Sequence, residues 1–144
     1  MAILALDYGT KRIGVAVSDA TLTLAQPLPF LNAEPFQQLV KEVKRLVKER
    51  EISLILVGMP RNMDGTYGPA ADRVQVFIFH FKLAVTVPVA TRDERLTTVQ
   101  AGRQLREAGH SAKDQKLIID SVSAAVLLQS YLDELAMRET KNIP

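Results

Sequence analysis

Cysteine is absent from the 144 residues, which excludes a disulfide framework, a Cys-ligated zinc and an iron–sulfur cluster. That absence agrees with a reducing compartment, and a cytoplasmic location is the expectation. Histidine is scarce, with two in the chain. His80 lacks a ligand-spaced partner in sequence, so it reads as a packing or surface residue. Long hydrophobic runs are missing as well. The longest apolar region, Val74 to Ala90, is interrupted by Gln75, His80, Lys82 and Pro88, so no membrane span is expected. Met1 to Leu6 is too short for a signal peptide and meets Asp7 with no basic segment before it. A large excess of charge of one sign is lacking: a net charge of +2 permits an anionic partner without demanding one. Repeats, low-complexity tracts and linkers are also absent, so one domain is expected over 1–137, with 138–144 as a frayed tail.

The chain is organised around Ala2 to Asp19. Ile3 to Leu6 is an unbroken apolar run, the pattern of a strand covered on both faces, and Asp7 ends it. Gly9 and Thr10 turn the chain, and Ile13, Val15 and Val17 alternate with Gly14, Ala16 and Ser18 as a return strand. Thr21 to Ala25, closed by Gln26-Pro27, reads as a third strand. Pro35 marks a first helical residue, and Phe36, Leu39, Val40, Val43, Leu46 and Val47 form a helical stripe. The opposite face, with Lys41, Lys44, Arg45, Lys48 and Arg50, is a solvated basic surface or a nucleic-acid contact. Ile52 to Val57 is a strand ending at Gly58-Met59-Pro60, and Arg61 to Gly68 is a loop. Pro69 to about Lys82 admits either period; a crossover helix is expected, because the next strand, Val85 to Ala90, requires one. Capping patterns at Thr97 and Gln100, and at Ser111 and Asp114, open two more helices, the last reaching about Ala136.

Sites in an open α/β sheet gather at the carboxyl ends of its strands. Asp7 ends the first strand, and Arg92-Asp93-Glu94-Arg95 follows the fifth. Asp120 falls on the apolar stripe of the last helix, with Leu117, Ala124, Leu127, Leu128 and Tyr131. Each acid alone has a plainer reading: a turn-capping Asp7, a surface ion-pair cluster at 92–95, an Asp120 paired with arginine. Together they form an all-oxygen set without His or Cys, which suits a pair of Mg2+ or Mn2+ ions acting on a phosphodiester. Lys11, Arg12, Arg61, Arg73 and Arg95 are placed to reach the same edge and hold a polyanion.

Four motifs in order resemble the YqgF family over nearly the whole chain. They are Leu6-Asp7-Tyr8-Gly9-Thr10-Lys11-Arg12-Ile13-Gly14-Val15-Ala16, and Val57-Gly58-Met59-Pro60 with Asn62-Met63-Asp64-Gly65. Asp93-Glu94-Arg95-Leu96-Thr97-Thr98 follows, then Ile119-Asp120-Ser121 with Ala124-Ala125 and Leu128-Gln129. The resemblance implies a ribonuclease-H-like α/β fold, a five-stranded mixed sheet of order 3-2-1-4-5 with its first three strands antiparallel and helices around it. It also implies that Asp7, Glu94 and Asp120 are the catalytic, metal-binding triad, choosing Glu94 over Asp93. Lys11, Arg12, Arg73 and Arg95 are then the substrate-side cations. The family is similar to Holliday-junction resolvases and is regarded as a nuclease of ribosome biogenesis. The implied activity is trimming the 5′ end of the small-subunit (16S) rRNA precursor, so RNA is the expected partner and branched DNA the alternative. No membrane partner is expected, and the state is a monomer or weak homodimer.

Two other readings remain. The Asp-x-Gly-Thr hairpin resembles the phosphate loop of sugar-kinase and actin-like ATPases, which need two such domains where this chain holds one. A non-catalytic RNA-binding assembly factor would keep the acids for folding or docking. Arg61 and Arg92 stand where the family pattern has an apolar and an aromatic residue, and both are expected to add positive charge beside the site.

Overall fold

The apolar runs become the strands of one sheet of order β3-β2-β1-β4-β5. The computed structural model describes residues 1–60, 68–93 and 121–141. β1 (Ala2–Asp7), β2 (Arg12–Ser18) and β3 (Ala25–Asn32) form an antiparallel meander. β4 (Ile52–Met59) and β5 (Val89–Asp93) add in parallel beyond β1. The helices α1 (Phe36–Glu49), α2 (Pro69–Ala84) and α3 (Val122–Lys141) cover the two faces.

Alternation along the central strands assigns each side chain to a layer. Leu4, Leu6, Ile13, Val15, Ile55 and Val57 pack under α1 and α2 with Leu39, Val43, Phe77 and Phe81. Ile3, Ala5, Ala16 and Leu56 pack under α3 with Ala124, Leu127, Leu128 and Leu132. Ala5, Gly14 and Ala16 on the sheet and Ala124 and Ala125 on the helix are small, which lets α3 lie close on β1 and β2.

Buried serines repair the ladder where it slips. Register shifts between Ala2 and Ile3 on the β1–β4 side, and the Ile3 N–H donates to Ser18 Oγ at 2.8 Å. It shifts again between Ile13 and Val15 on the β2–β3 side, and the Val15 N–H donates to Ser121 Oγ at 2.9 Å. Both serines are buried, so each hydroxyl supplies an acceptor that water does not.

Three expectations shift. The third strand is Ala25–Asn32 and not Thr21 to Ala25. The Asp19 carboxylate takes the N–H groups of Thr23 (2.7 Å) and Leu24 (3.0 Å), which curls that segment into a turn with Leu22 at φ 57. The strand then runs through Pro27 and Pro29, tolerated because β3 is an edge. The fifth strand is Val89–Asp93 and not Val85 to Ala90. Its polar residues are exposed (Thr91) or half-exposed (Arg92, Asp93) at the other edge, and Pro88 precedes it, accepting from the Ile55 N–H. The last helix continues to Lys141, beyond Ala136. The expected 69–82 helix forms and extends to Ala84. The expected helix from Thr97, the expected start of the last helix at 111–120, and most of the 61–68 loop lie outside the described residues.

Candidate active site

Asp7 is the last residue of β1 and is half-buried. It alternates with Ile3 and Ala5, so it lies on the α3 face of the sheet. The β1–β4 register closes at Leu6↔Val57, and β4 pairs Gly58↔Arg92 and Met59↔Asp93 with β5. The carboxyl ends of β1, β4 and β5 therefore share one edge. Asp93 follows Arg92, which reaches α3, so alternation turns Asp93 to the α1–α2 face, opposite to Asp7. Glu94, Arg95 and Asp120 lie outside the described residues.

The turn after Asp7 is held from two sides. A Cβ at Gly9 would sit 2.5 Å from the Arg12 carbonyl oxygen, so the hairpin closes this tightly only with glycine there. The Ala33 N–H donates to the Lys11 carbonyl at 2.9 Å, tying the turn to the end of β3. Lys11 and Arg12 are exposed, and the Arg12 guanidinium lies 4.8 Å over the Phe30 ring. Arg73, on the second turn of α2, lines a groove of about 640 Å3 that begins at Tyr8 and Thr10. Tyr8, one residue past Asp7, packs its ring 4.7 Å from that of Phe77.

Ser121 is the feature that sequence reasoning missed. It is fully buried, immediately follows Asp120, and bonds Val15, whose ladder partner is Leu6. The start of α3 is thereby fixed beside the residue that precedes Asp7. The available signal was a hydroxyl standing between Asp120 and an apolar helix. Gln129 fixes the same helix further along: Oε1 accepts from the Ala25 N–H and Nε2 donates to the Thr23 carbonyl, both at 2.9 Å.

Arg92 overturns an expectation. Its guanidinium donates to Glu134 Oε2 at 2.6 Å and to Ser130 Oγ at 2.8 Å, and it lies 5.6 Å from the Tyr131 ring centroid. The charge ties edge strand β5 to α3 and is directed at Glu134, which it shares with Arg138, instead of standing unpaired beside the site. Arg92 first, and Arg138 after it, hold the Glu134 carboxyl below its ordinary 4.5. On the basic face of α1, Arg45 is likewise spent on Glu42 and Glu49.

A family model described as RuvX, Holliday junction resolvase, matches residues 1–134. The chain belongs to the YqgF/RuvX family. A Thermoanaerobacter pseudethanolicus protein named "Putative pre-16S rRNA nuclease" is 42% identical over 92% of this chain and 96% of its own length. A protein of the same name from Chloroflexus aurantiacus is 46% identical over 91% of this chain and 86% of its own. The ribonuclease-H-like fold is shared with solved Holliday-junction resolvases. The fowlpox virus resolvase bound to junction DNA has a TM-score of 0.59 at 14% identity, covering 94% of this chain and 99% of that one. Thermus thermophilus RuvC bound to a junction has a TM-score of 0.52 at 12% identity, covering 94% and 96%.

Among the described residues no three His, Cys, Asp or Glu side chains come together as a metal cage, and no helix is long and apolar enough to cross a membrane. Asp7 supplies a hard oxygen donor, and with no cysteine in the chain the donor chemistry fits Mg2+ or Mn2+ and not a thiolate-held metal.

Proposed function

We propose that this YqgF/RuvX protein is a divalent-metal-dependent nuclease that hydrolyses a phosphodiester of the 16S rRNA precursor at its 5′ end, in the cytoplasm. The observation that carries this reading is the buried Ser121–Val15 hydrogen bond, which fixes the residue after Asp120 against the hairpin ending in Asp7. Supporting it, Asp7 lies on the α3 face at the shared strand edge, and the 42% and 46% identical relatives bear the nuclease name. Asp93 turns to the other face, which supports the choice of Glu94 that the family resemblance implies.

In this mechanism Asp7, Glu94 and Asp120 would hold Mg2+ or Mn2+, as a two-ion site, which when bound would supply activation of a water and neutralisation of charge on the leaving oxygen. The chain's own part is positioning. Asp7 is held by the strand behind it and the glycine turn after it, so its carboxylate is fixed for metal binding without reorganising. Lys11, Arg12 and Arg73 hold flanking phosphates, with Arg12 steadied on Phe30, and Arg95 orients Glu94.

Cleavage of an end-labelled precursor RNA by the purified protein tests this. The parent cuts with Mg2+ and stops in EDTA, and Asp7→Asn loses at least about a hundredfold in rate. An Asp7→Asn protein that stays folded and cuts as fast as the parent overturns the mechanism. Branched DNA is the second reading, favoured by the junction-bound resolvases of the same fold. A four-way junction cut faster than the RNA, under identical conditions, would move the substrate there.

A further inference from the structure

The groove that starts at Tyr8 has a composition the phosphodiester chemistry does not use. Tyr8, Phe36, Phe77 and His80 line it, together with Arg73 and with Thr10 of the turn after Asp7. Phe36 meets both Phe77 and His80 edge-on, at 6.3 and 6.4 Å between centroids. His80 is exposed, and Phe36 and Tyr8 are half-exposed, so the aromatic wall is accessible and is not simply core. At about 640 Å3 it lies within the range of small-ligand pockets, ample for a nucleoside. Glu34 and Asp72 also line it. Two carboxylates disfavour a phosphate inside the groove while leaving a neutral, hydrogen-bonding ring welcome.

We infer that this groove takes one unpaired nucleobase of a single-stranded RNA whose adjoining phosphate lies over Arg73 and Lys11. The inference rests on the nuclease reading for its substrate class. Its geometry comes from continuity: Tyr8 follows Asp7 directly and Thr10 lies in the same turn, so the groove opens on the α1–α2 side of the strand end that carries Asp7, and a strand crossing that edge can enter it. Aromatic stacking on a base is tolerant of sequence, because every base has a π face. The site therefore selects an unpaired nucleotide over a paired one, and selects position along the strand by distance from the cut.

The test is a fluorescence titration of short single-stranded RNA in EDTA, comparing an intact strand with one carrying a single abasic residue, scanned along its length. The parent is expected to bind the intact strand at least about fivefold tighter at one abasic position, and His80→Ala and Phe36→Leu are expected to erase that preference. His80 is exposed, so its variant keeps the fold, and thermal unfolding checks both proteins. Equal affinity for intact and abasic strands at every position overturns the inference. A sedimenting dimer that dissociates in His80→Ala gives the groove to a second copy and overturns it too. Without metal the titration is blind to hydrolysis, so its failure leaves the nuclease reading standing, and failure of cleavage leaves the base preference readable.

Discussion

At the scale of single residues, the site depends on groups that carry no chemistry themselves. Ser121 is buried and accepts from a backbone amide that the slipped β2–β3 ladder leaves to it. Replacing it by alanine strands the Val15 N–H in the core, at a cost of about 1–3 kcal/mol. Ser121→Ala is therefore expected to lower the urea midpoint and, on the proposed role of the adjoining Asp120, to slow RNA cleavage further than the stability loss explains. Equal loss in cleavage for Ser18→Ala, which removes the comparable bond to Ile3 elsewhere on β1, would show that position beside Asp120 is irrelevant. Gly9 is the second such residue. With the added methyl only 2.5 Å from the Arg12 carbonyl, Gly9→Ala must open the turn, at roughly 1–3 kcal/mol. Denaturant unfolding checks the number, and an alanine variant as stable and active as the parent would contradict the turn's role.

At the scale of elements, edge strand β5 depends on α3 through Arg92. The Glu134 carboxyl is held below its ordinary 4.5 chiefly by that arginine. A lowered folded value means the contribution is present above 4.5 and disappears as pH falls through the folded value. Glu134→Gln is thus expected to unfold at lower urea than the parent at neutral pH, and the two midpoints to converge at pH well below 4.5. A gap that persists in acid would assign the effect to packing. The elements were largely legible in the sequence: the unbroken apolar run of β1, the alternation of β2, the stripe on α1 and the crossover logic around β4 each lead to an observed element, while the observed strand order was implied by the family resemblance. Misplacement came where side chains act on backbone. Asp19 captures two amides and delays β3, and that strand's two prolines obscure it. Thr91, Arg92 and Asp93 carry no apolar signal, yet Arg92 reaches across to α3 and makes the end of β5. An arginine whose partner lies 42 residues away, on a different element, is invisible to local pattern.

At the scale of the whole molecule, the three-layer arrangement does what no segment does: it faces the end of β1 towards α3 and fixes the start of α3 beside it. Of the candidate site, Asp7 was readable as a carboxylate ending an apolar strand, and its face follows from alternation. The choice of Glu94 over Asp93 was not readable from spacing; it came from the family resemblance and gains support from Arg92 bonding to α3. The aromatic groove was unreadable, since Tyr8, Phe36 and His80 are far apart in sequence and converge only when α1 and α2 share a face. The central claim is that folding gathers Asp7, Glu94 and Asp120 around divalent ions. The most direct measurement is anomalous diffraction from crystals of the protein soaked in Mn2+. Manganese peaks ligated by all three carboxylates are the expected result, whereas three acids separated from one another, with no manganese among them, would contradict it.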